Sequence, residues 1–303
     1  NINIRVCSYF IQRISHRMSD TAATVKPTST MLRSNKNSSV LFQLICIRHG
    51  ETDSNREKRI QGHIDIPLNA LGLEQAKRAG IALSSQVFSR AYCSDLSRTE
   101  QTARQILQQT AMSSPPDLVV DARIKERYFG VVENMLYNDV LKLLDPGQLD
   151  WSAYVAEKGE TLGEVEIRFV NFFKTLCQSV YDKHKAKSSE ENGSTTEHSN
   201  DLSNVKVDFD IENGHDDEAP EDCNDAEEVC ENVLMVSHGA ALRLFYSHME
   251  KTLHCTVPEP KDIFPLNTAY SVFKVRYSPR RYKVTCQTYN KADHIKDIDL
   301  STF

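Results

Sequence analysis

Apolar positions along the chain fall into short unbroken runs and longer stretches with helical spacing. Residues 41–47, Leu-Phe-Gln-Leu-Ile-Cys-Ile, are almost wholly apolar and stop at Arg48-His49-Gly50. A run of that length ended by glycine predicts a strand buried on both faces. Val233-Leu234-Met235-Val236 repeats the grammar and stops at Ser237-His238-Gly239. Shorter runs predict strands near Val87–Cys93 and over Leu118–Val120. Between them the spacing changes. Leu73, Ala76, Gly80 and Leu83 share one face, which predicts a helix over about 70–85 with Asn69 as its N-cap. Ser94-Asp95 opens a second helix, from Leu96 to about Leu107, and further helical stretches are expected at about 135–144, 161–184 and 240–251. Within 161–184, Val165, Phe169, Phe172, Phe173, Leu176 and Val180 form a stripe read as core packing. Tyr270–Tyr277 and Arg281–Tyr289 alternate about Ser278-Pro279-Arg280 and predict an edge hairpin. Strands alternating with helices make this an α/β chain.

Composition changes the picture in two places. Residues 1–40 are rich in Ser, Thr, Asn and Arg and nearly free of acid, a leader-like or disordered composition that is set aside from the fold. An Arg-rich, Ser-rich segment of this kind can act as a mitochondrial transit peptide; a disordered tail on a cytoplasmic protein is the expectation. Residues 188–232 hold sixteen Asp and Glu against one Lys, although the whole chain has a net charge of only −6. The acidity therefore belongs to that segment, and the remaining body is mildly basic. With few large apolar side chains it cannot bury enough surface to offset its ordering entropy, so 188–231 is expected to be a disordered acidic insertion in a domain spanning 41–303. A mildly basic body suits small anionic substrates, and the absence of a basic stripe argues against nucleic acid. No apolar run reaches the roughly 20 residues of a membrane span. The eight Cys include no C-x-x-C pair and read as buried thiols in a reducing compartment. There is no P-loop, no calcium loop and no zinc-ligand spacing, so no metal or cofactor is expected.

The chemistry-bearing residues follow strands or sit in glycine-marked loops: Arg48, His49, Asn55, Gln61, Gly62, Arg98, Glu126 and His238. The carboxyl edge of a sheet is where open α/β folds bind ligands, and Arg98 falls in the first turn of a helix, whose free N–H groups attract anions. Two guanidiniums, two imidazoles and two amides can hold a phosphate dianion, since arginine forks match phosphoryl oxygens. One imidazole can attack phosphorus, and a carboxylate can protonate the departing oxygen and then deprotonate water. Each residue also has a plainer reading. Asp121 and Glu133 compete with Glu126 for the acid's role, Cys93 is by default a buried strand-end thiol, and His63 and His294 either line the entrance or are simply exposed.

At these residues the chain resembles the histidine phosphatase superfamily, in the branch of the cofactor-dependent phosphoglycerate mutases. Arg48-His49-Gly50-Glu51-Thr52 with Asn55 resembles its signature, and Ser94-Asp95-Leu96-Ser97-Arg98-Thr99-Glu100-Gln101-Thr102 its S-D-L-x-R-T-x-Q-T helix. Glu126-Arg127 before Gly130 resembles the acid-bearing loop, Gly159-Glu160-Thr161-Leu162 the G-E-T helix start, and Ser237-His238-Gly239 the second histidine motif. They occur in the family's order across about 41–290. The Glu126–Val132 loop, the long polar insertion, Asn267-Thr268 and Asp293-His294-Ile295 resemble the fructose-2,6-bisphosphatase-like glycolysis regulators of that branch. Asn134 departs from the family, which usually has glycine there; Asn tolerates left-handed backbone, so the turn is expected to survive.

The resemblance implies a three-layer α/β fold with a mostly parallel sheet flanked by helices. It implies a metal-independent phosphatase in which His49 takes the phosphoryl group, Arg48, Arg98 and His238 surround it, Asn55, Gln61 and Gly62 bind substrate, and Glu126 is general acid then base. The substrate implied is a small phosphorylated metabolite, fructose 2,6-bisphosphate or 2,3-bisphosphoglycerate. A mutase using the same phosphohistidine, a phosphoprotein phosphatase and a non-catalytic scaffold that binds through the acidic insertion stay open as alternatives. Neither nucleic acid nor membrane is an expected partner, and a monomer is the expected form. Deleting 188–231 is predicted to leave fold and kcat nearly intact, as read by thermal melting and phosphate release.

Overall fold

The computed structural model describes residues 39–143, 156–190, 228–258, 264–279 and 281–298. Six strands form one sheet in the order β3-β2-β4-β1-β5-β6. They are β1 (Val40–Arg48), β2 (Arg90–Cys93), β3 (Leu118–Val120), β4 (Glu231–Ser237), β5 (Tyr270–Ser278) and β6 (Arg281–Lys291). β3, β2, β4 and β1 run parallel, and β5 and β6 follow antiparallel. The helices are α1 (Asp53–Arg56), α2 (Ala70–Ala82), α3 (Ser97–Gln109), α4 (Tyr137–Leu141), α5 (Leu162–Glu190) and α6 (Gly239–Lys251). No described helix is long and apolar enough to cross a membrane.

The unbroken apolar run of β1 is explained by helices on both sides of it. Phe42, Leu44 and Cys46 point into one core with Phe169, Phe172 and Phe173 of α5 and Leu242, Phe245 and Met249 of α6. Ile45 and Ile47 point into the other with Ala79 of α2, Leu83 just past its end, and Ala103, Ile106 and Leu107 of α3. Because strand side chains alternate faces, a strand covered on both sides must be apolar at consecutive positions. The stripe on α5 is core: all six of its apolar residues are buried, and Phe169 stacks on Phe245 with centroids 4.6 Å apart.

Several boundaries differ from the sequence expectations. Helix α2 ends at Ala82, and its buried face runs through Leu71, Ala76 and Ala79, with Leu73 exposed. β2 begins at Arg90 rather than near Val87, which is exposed. The hairpin forms, but only β6 is at the edge; β5 lies between β1 and β6, which is why Tyr270–Phe273 are buried consecutively rather than alternately. Asn134 does adopt left-handed backbone, with φ of 67°. Residues 1–38 and 191–227 lie outside the described set, and with them most of the expected leader and the acidic insertion.

The margins of that insertion are structured. α5 continues to Glu190, and β4 starts at Glu231. Glu231 was counted in the acidic run, yet its side chain is only 1% exposed. It accepts from Arg90 Nε at 2.6 Å, pairs with Lys183 at 2.7 Å and contacts His184 Nε2 at 3.1 Å. Burial raises its carboxyl, but Arg90, Lys183 and His184 together outweigh burial and hold it below its ordinary value. The pairing ties the body of α5 to β4 at the base of the insertion. Glu231→Gln is therefore predicted to destabilise the fold by about 1–3 kcal/mol at pH 7 in urea unfolding, since it leaves buried donors short of a charge. A depressed carboxyl adds stability above its unfolded pKa and loses it as pH falls, so the gap between wild type and variant should close below about pH 4. The deletion that spares the fold must accordingly stop short of Glu231.

Candidate active site

The site is assembled at the carboxyl ends of three neighbouring strands. β1 and β4 pair in parallel with Arg48 opposite Ser237, so His49 and His238 leave the sheet side by side. The His49 amide donates to the Ser237 carbonyl at 3.0 Å, and the two rings lie 5.2 Å apart between centroids. β2 flanks β4 on its other side with Cys93 opposite Val236, so the chain emerges there as Ser94 and turns into α3. Arg98, in the first turn of α3, is completely buried beside His238.

Hydrogen bonds fix the protonation pattern of both imidazoles. His49 Nδ1 lies 2.7 Å from the Gly50 carbonyl. A carbonyl only accepts, so Nδ1 carries the hydrogen and Nε2 keeps its lone pair. Arg98 Nε donates to His238 Nδ1 at 3.2 Å, so that nitrogen is the acceptor, and His238 Nε2–H donates to Ser94 Oγ at 2.7 Å. Both rings are neutral. Burial first, then Arg98 and Arg48, hold His49 well below its ordinary range; burial, then Arg98 and His49, do the same for His238.

The two guanidiniums are held by backbone carbonyls, and each is pushed by burial down to about 10. Arg98 donates to Ile64 O at 2.8 Å and Gly62 O at 2.7 Å. Arg48 donates Nη1 to Pro265 O at 2.7 Å, while its buried Nε has no partner among the described residues. Gly62 thus holds Arg98 through its carbonyl. Its φ of +53° and its position against Glu133, where a Cβ would fall 1.8 Å from Oε1, leave room only for glycine.

Asn55 and Gln61 meet through Thr52. The Thr52 hydroxyl caps α1 and gives its one hydrogen to Gln61 Oε1 at 3.0 Å, while Asn55 Oδ1 accepts from Thr52 N at 3.2 Å and from Asn267 at 3.3 Å. With their oxygens occupied, the two NH₂ groups are the ends left to donate. Glu126 is buried with its carboxylate on the N-terminus of α6, accepting from Ala240 N at 3.1 Å and Ala241 N at 3.0 Å, and from Arg127 N at 2.8 Å. Asp121 instead pairs with Arg123 at 2.6 Å, and Glu133 accepts from His63 N and Phe129 N.

Further residues support the site, and of these Arg168 was not singled out from sequence. Asn267 donates to the His49 carbonyl at 3.0 Å and to Asn55 Oδ1 at 3.3 Å. Arg168 donates to the carbonyls of Arg123, Lys125 and Glu126 at 2.9, 2.6 and 2.8 Å, and pairs with Glu160 at 2.9 Å. Glu160 in turn accepts from Tyr128 N at 2.8 Å, so the G-E-T segment and α5 brace the Glu126 loop. His63 Nε2–H donates to Glu126 O at 2.8 Å, and His294 contacts Thr268 Oγ1 at 3.0 Å. Cys93 is fully buried, and burial pushes its thiol to about 12.

Residues 44–186 match the histidine phosphatase superfamily (branch 1). The chain is 32% identical over 273 residues to fructose-2,6-bisphosphatase TIGAR of Xenopus tropicalis, covering 86% of this chain and 97% of that one. It is 33% identical over 271 residues to fructose-2,6-bisphosphatase TIGAR B of Danio rerio, covering 86% and 98%. In fold it is similar to a mycobacterial glucosyl-3-phosphoglycerate phosphatase, with a TM-score of 0.58, 20% identity and coverage of 82% and 99%. A phosphoglycerate mutase of Bacillus anthracis gives a TM-score of 0.57 at 20% identity, covering 85% and 96%. With relatives above 30% identity along most of its length, and two neutral imidazoles beside Arg48 and Arg98 at the ends of adjacent strands, the chain belongs to the histidine phosphatase superfamily and is a phosphatase of its branch 1.

Proposed function

We propose that this phosphatase hydrolyses a small phosphorylated metabolite, fructose 2,6-bisphosphate or 2,3-bisphosphoglycerate, through a phosphohistidine on His49. The observation that carries the mechanism is the His49 Nδ1–H bond to the Gly50 carbonyl, which leaves Nε2 unprotonated beside Arg48 and Arg98. Nε2 attacks phosphorus, the P–N bond forms and the ester P–O bond breaks. Glu126, in its protonated form, gives its proton to the departing oxygen. Water then attacks the phosphohistidine, Glu126 takes its proton, and the P–N bond breaks to return neutral His49. Arg48 and Arg98 stabilise the charge on the transferring oxygens, Asn55 and Gln61 add donors, and His238 joins them when its Nε2–H turns from Ser94 Oγ to a phosphoryl oxygen. Fixed donors of this kind act without reorganisation in a site closed to bulk water. The likeness to fructose-2,6-bisphosphatases over most of the chain supports the choice of substrate.

His49→Ala is predicted to abolish both turnover and the acid-labile phosphoenzyme trapped after rapid mixing with labelled substrate; wild-type activity in that variant would end the proposal. Glu126→Gln should lower kcat by about 10²–10⁴-fold on an alkyl phosphate and far less on p-nitrophenyl phosphate, whose leaving group needs no proton. Equal losses on both substrates would assign the acid elsewhere. A phosphate-release panel including both bisphosphates, read beside 3- to 2-phosphoglycerate interconversion, decides between hydrolysis and phosphoryl transfer.

A further inference from the structure

Arg48 is held by an aromatic ring as well as by a carbonyl. Its guanidinium carbon lies 5.0 Å from the centroid of Phe264, and Pro265 O accepts from its Nη1 at 2.7 Å. The Phe264 ring also lies directly on Gly239, the first residue of α6. A Cβ there would stand 2.3 Å from Phe264 Cζ and 2.5 Å from Cε1, closer than any side chain tolerates. Phe264 as a whole is 48% exposed, so one part of it meets solvent while another lies on the site. What it covers is the guanidinium whose Nε has no partner among the described residues.

We propose that Phe264 is a positioning residue for phosphoryl transfer. By lying against the Arg48 guanidinium and on the bare Cα of Gly239, it holds the free Nε toward the transferring phosphoryl group. The inference rests on the proposed function only in assigning Arg48 to the phosphate. An aromatic quadrupole attracts the cation and restricts its rotation without using any of its N–H donors, which a carboxylate partner would consume. A Cβ at position 239 would push the ring aside, so glycine there serves the ring's placement rather than the helix, since φ at this position is not in the left-handed region.

The test separates an aromatic hold from mere apolar cover. Phe264→Leu should lower kcat/KM on p-nitrophenyl phosphate by about three- to thirty-fold and weaken orthovanadate binding by a similar factor, with an unchanged thermal midpoint. Phe264→Trp should restore most of both. Gly239→Ala should cause a comparable loss in the wild-type background and little further loss on top of Phe264→Ala, because the clash is gone. A Leu variant that matches wild type in turnover and vanadate affinity would overturn the proposal, as would additive losses in the double variant. Failure of the wild type to turn over would count against the phosphatase reading alone, since vanadate titration still reads the hold on Arg48.

Discussion

The site depends on one register, the parallel pairing of β1 with β4 that sets Arg48 opposite Ser237. Parallel neighbours end on the same side of a sheet, so residues just past their ends are brought together whatever their separation in the chain. Here 189 positions divide His49 from His238, yet their rings are 5.2 Å apart. A one-residue slip would turn each side chain of β1 to the opposite face and exchange the two cores. The apolar fit of Phe42, Leu44 and Cys46 against α5 and α6, and of Ile45 and Ile47 against α2 and α3, therefore also aligns the two histidines.

Gathering Arg48 and Arg98 next to two imidazoles is costly, because like charges repel and burial penalises each of them. The protein meets that cost in two ways. It keeps both imidazoles neutral, and it directs backbone carbonyls of Gly62, Ile64 and Pro265 at the guanidiniums. Carbonyl dipoles stabilise the cations without cancelling their charge, so the field remains available to a dianion. Glu126, whose charge acts on both arginines, is tied to the N-terminus of α6 through Ala240 and Ala241. An acid held by backbone N–H groups keeps its place when a phosphoryl group occupies the arginines. Charge balance thus explains both the carbonyl cradle and the separate anchorage of the acid.

What was legible in the sequence was whatever a short stretch encodes on its own. The runs 41–47 and 233–236, each ended by His-Gly, contain the strand, its burial and its exit, and Arg98 reads from its place in a helix's first turn. Asn134 reads from the conformational tolerance of its own side chain. The residues that were missed act through partners distant in sequence. Arg168 looks like any polar position on α5 until the carbonyls of residues 123, 125 and 126 come to it. Glu231 is chemically indistinguishable from the acidic run before it, and only Arg90, on the strand alongside, reveals it as buried. β5 looked like an edge because alternation was read into a segment whose first four residues are all buried.

The turn that precedes β5 shows how far the site reaches into the fold. Thr268 is fully buried with φ of +57°, a conformation that a β-branched residue adopts only under constraint and at a cost of about 1–3 kcal/mol. Its amide donates to the Arg48 carbonyl at 3.1 Å, and its hydroxyl contacts His294 at 3.0 Å. Burial lowers His294 to about 4, so at neutral pH its ring binds the hydroxyl uncharged and adds no cation to a region already rich in them. The strained residue sits between Asn267, which holds the His49 carbonyl and Asn55, and β5, which pairs with β1 from Val40 to Ile47. Relaxing φ at 268 would move the Asn267 side chain off His49 or pull the start of β5 out of register. The backbone strain and its C-terminal buttress are therefore best explained as consequences of joining a central strand to the carbonyl of the proposed nucleophile within two residues.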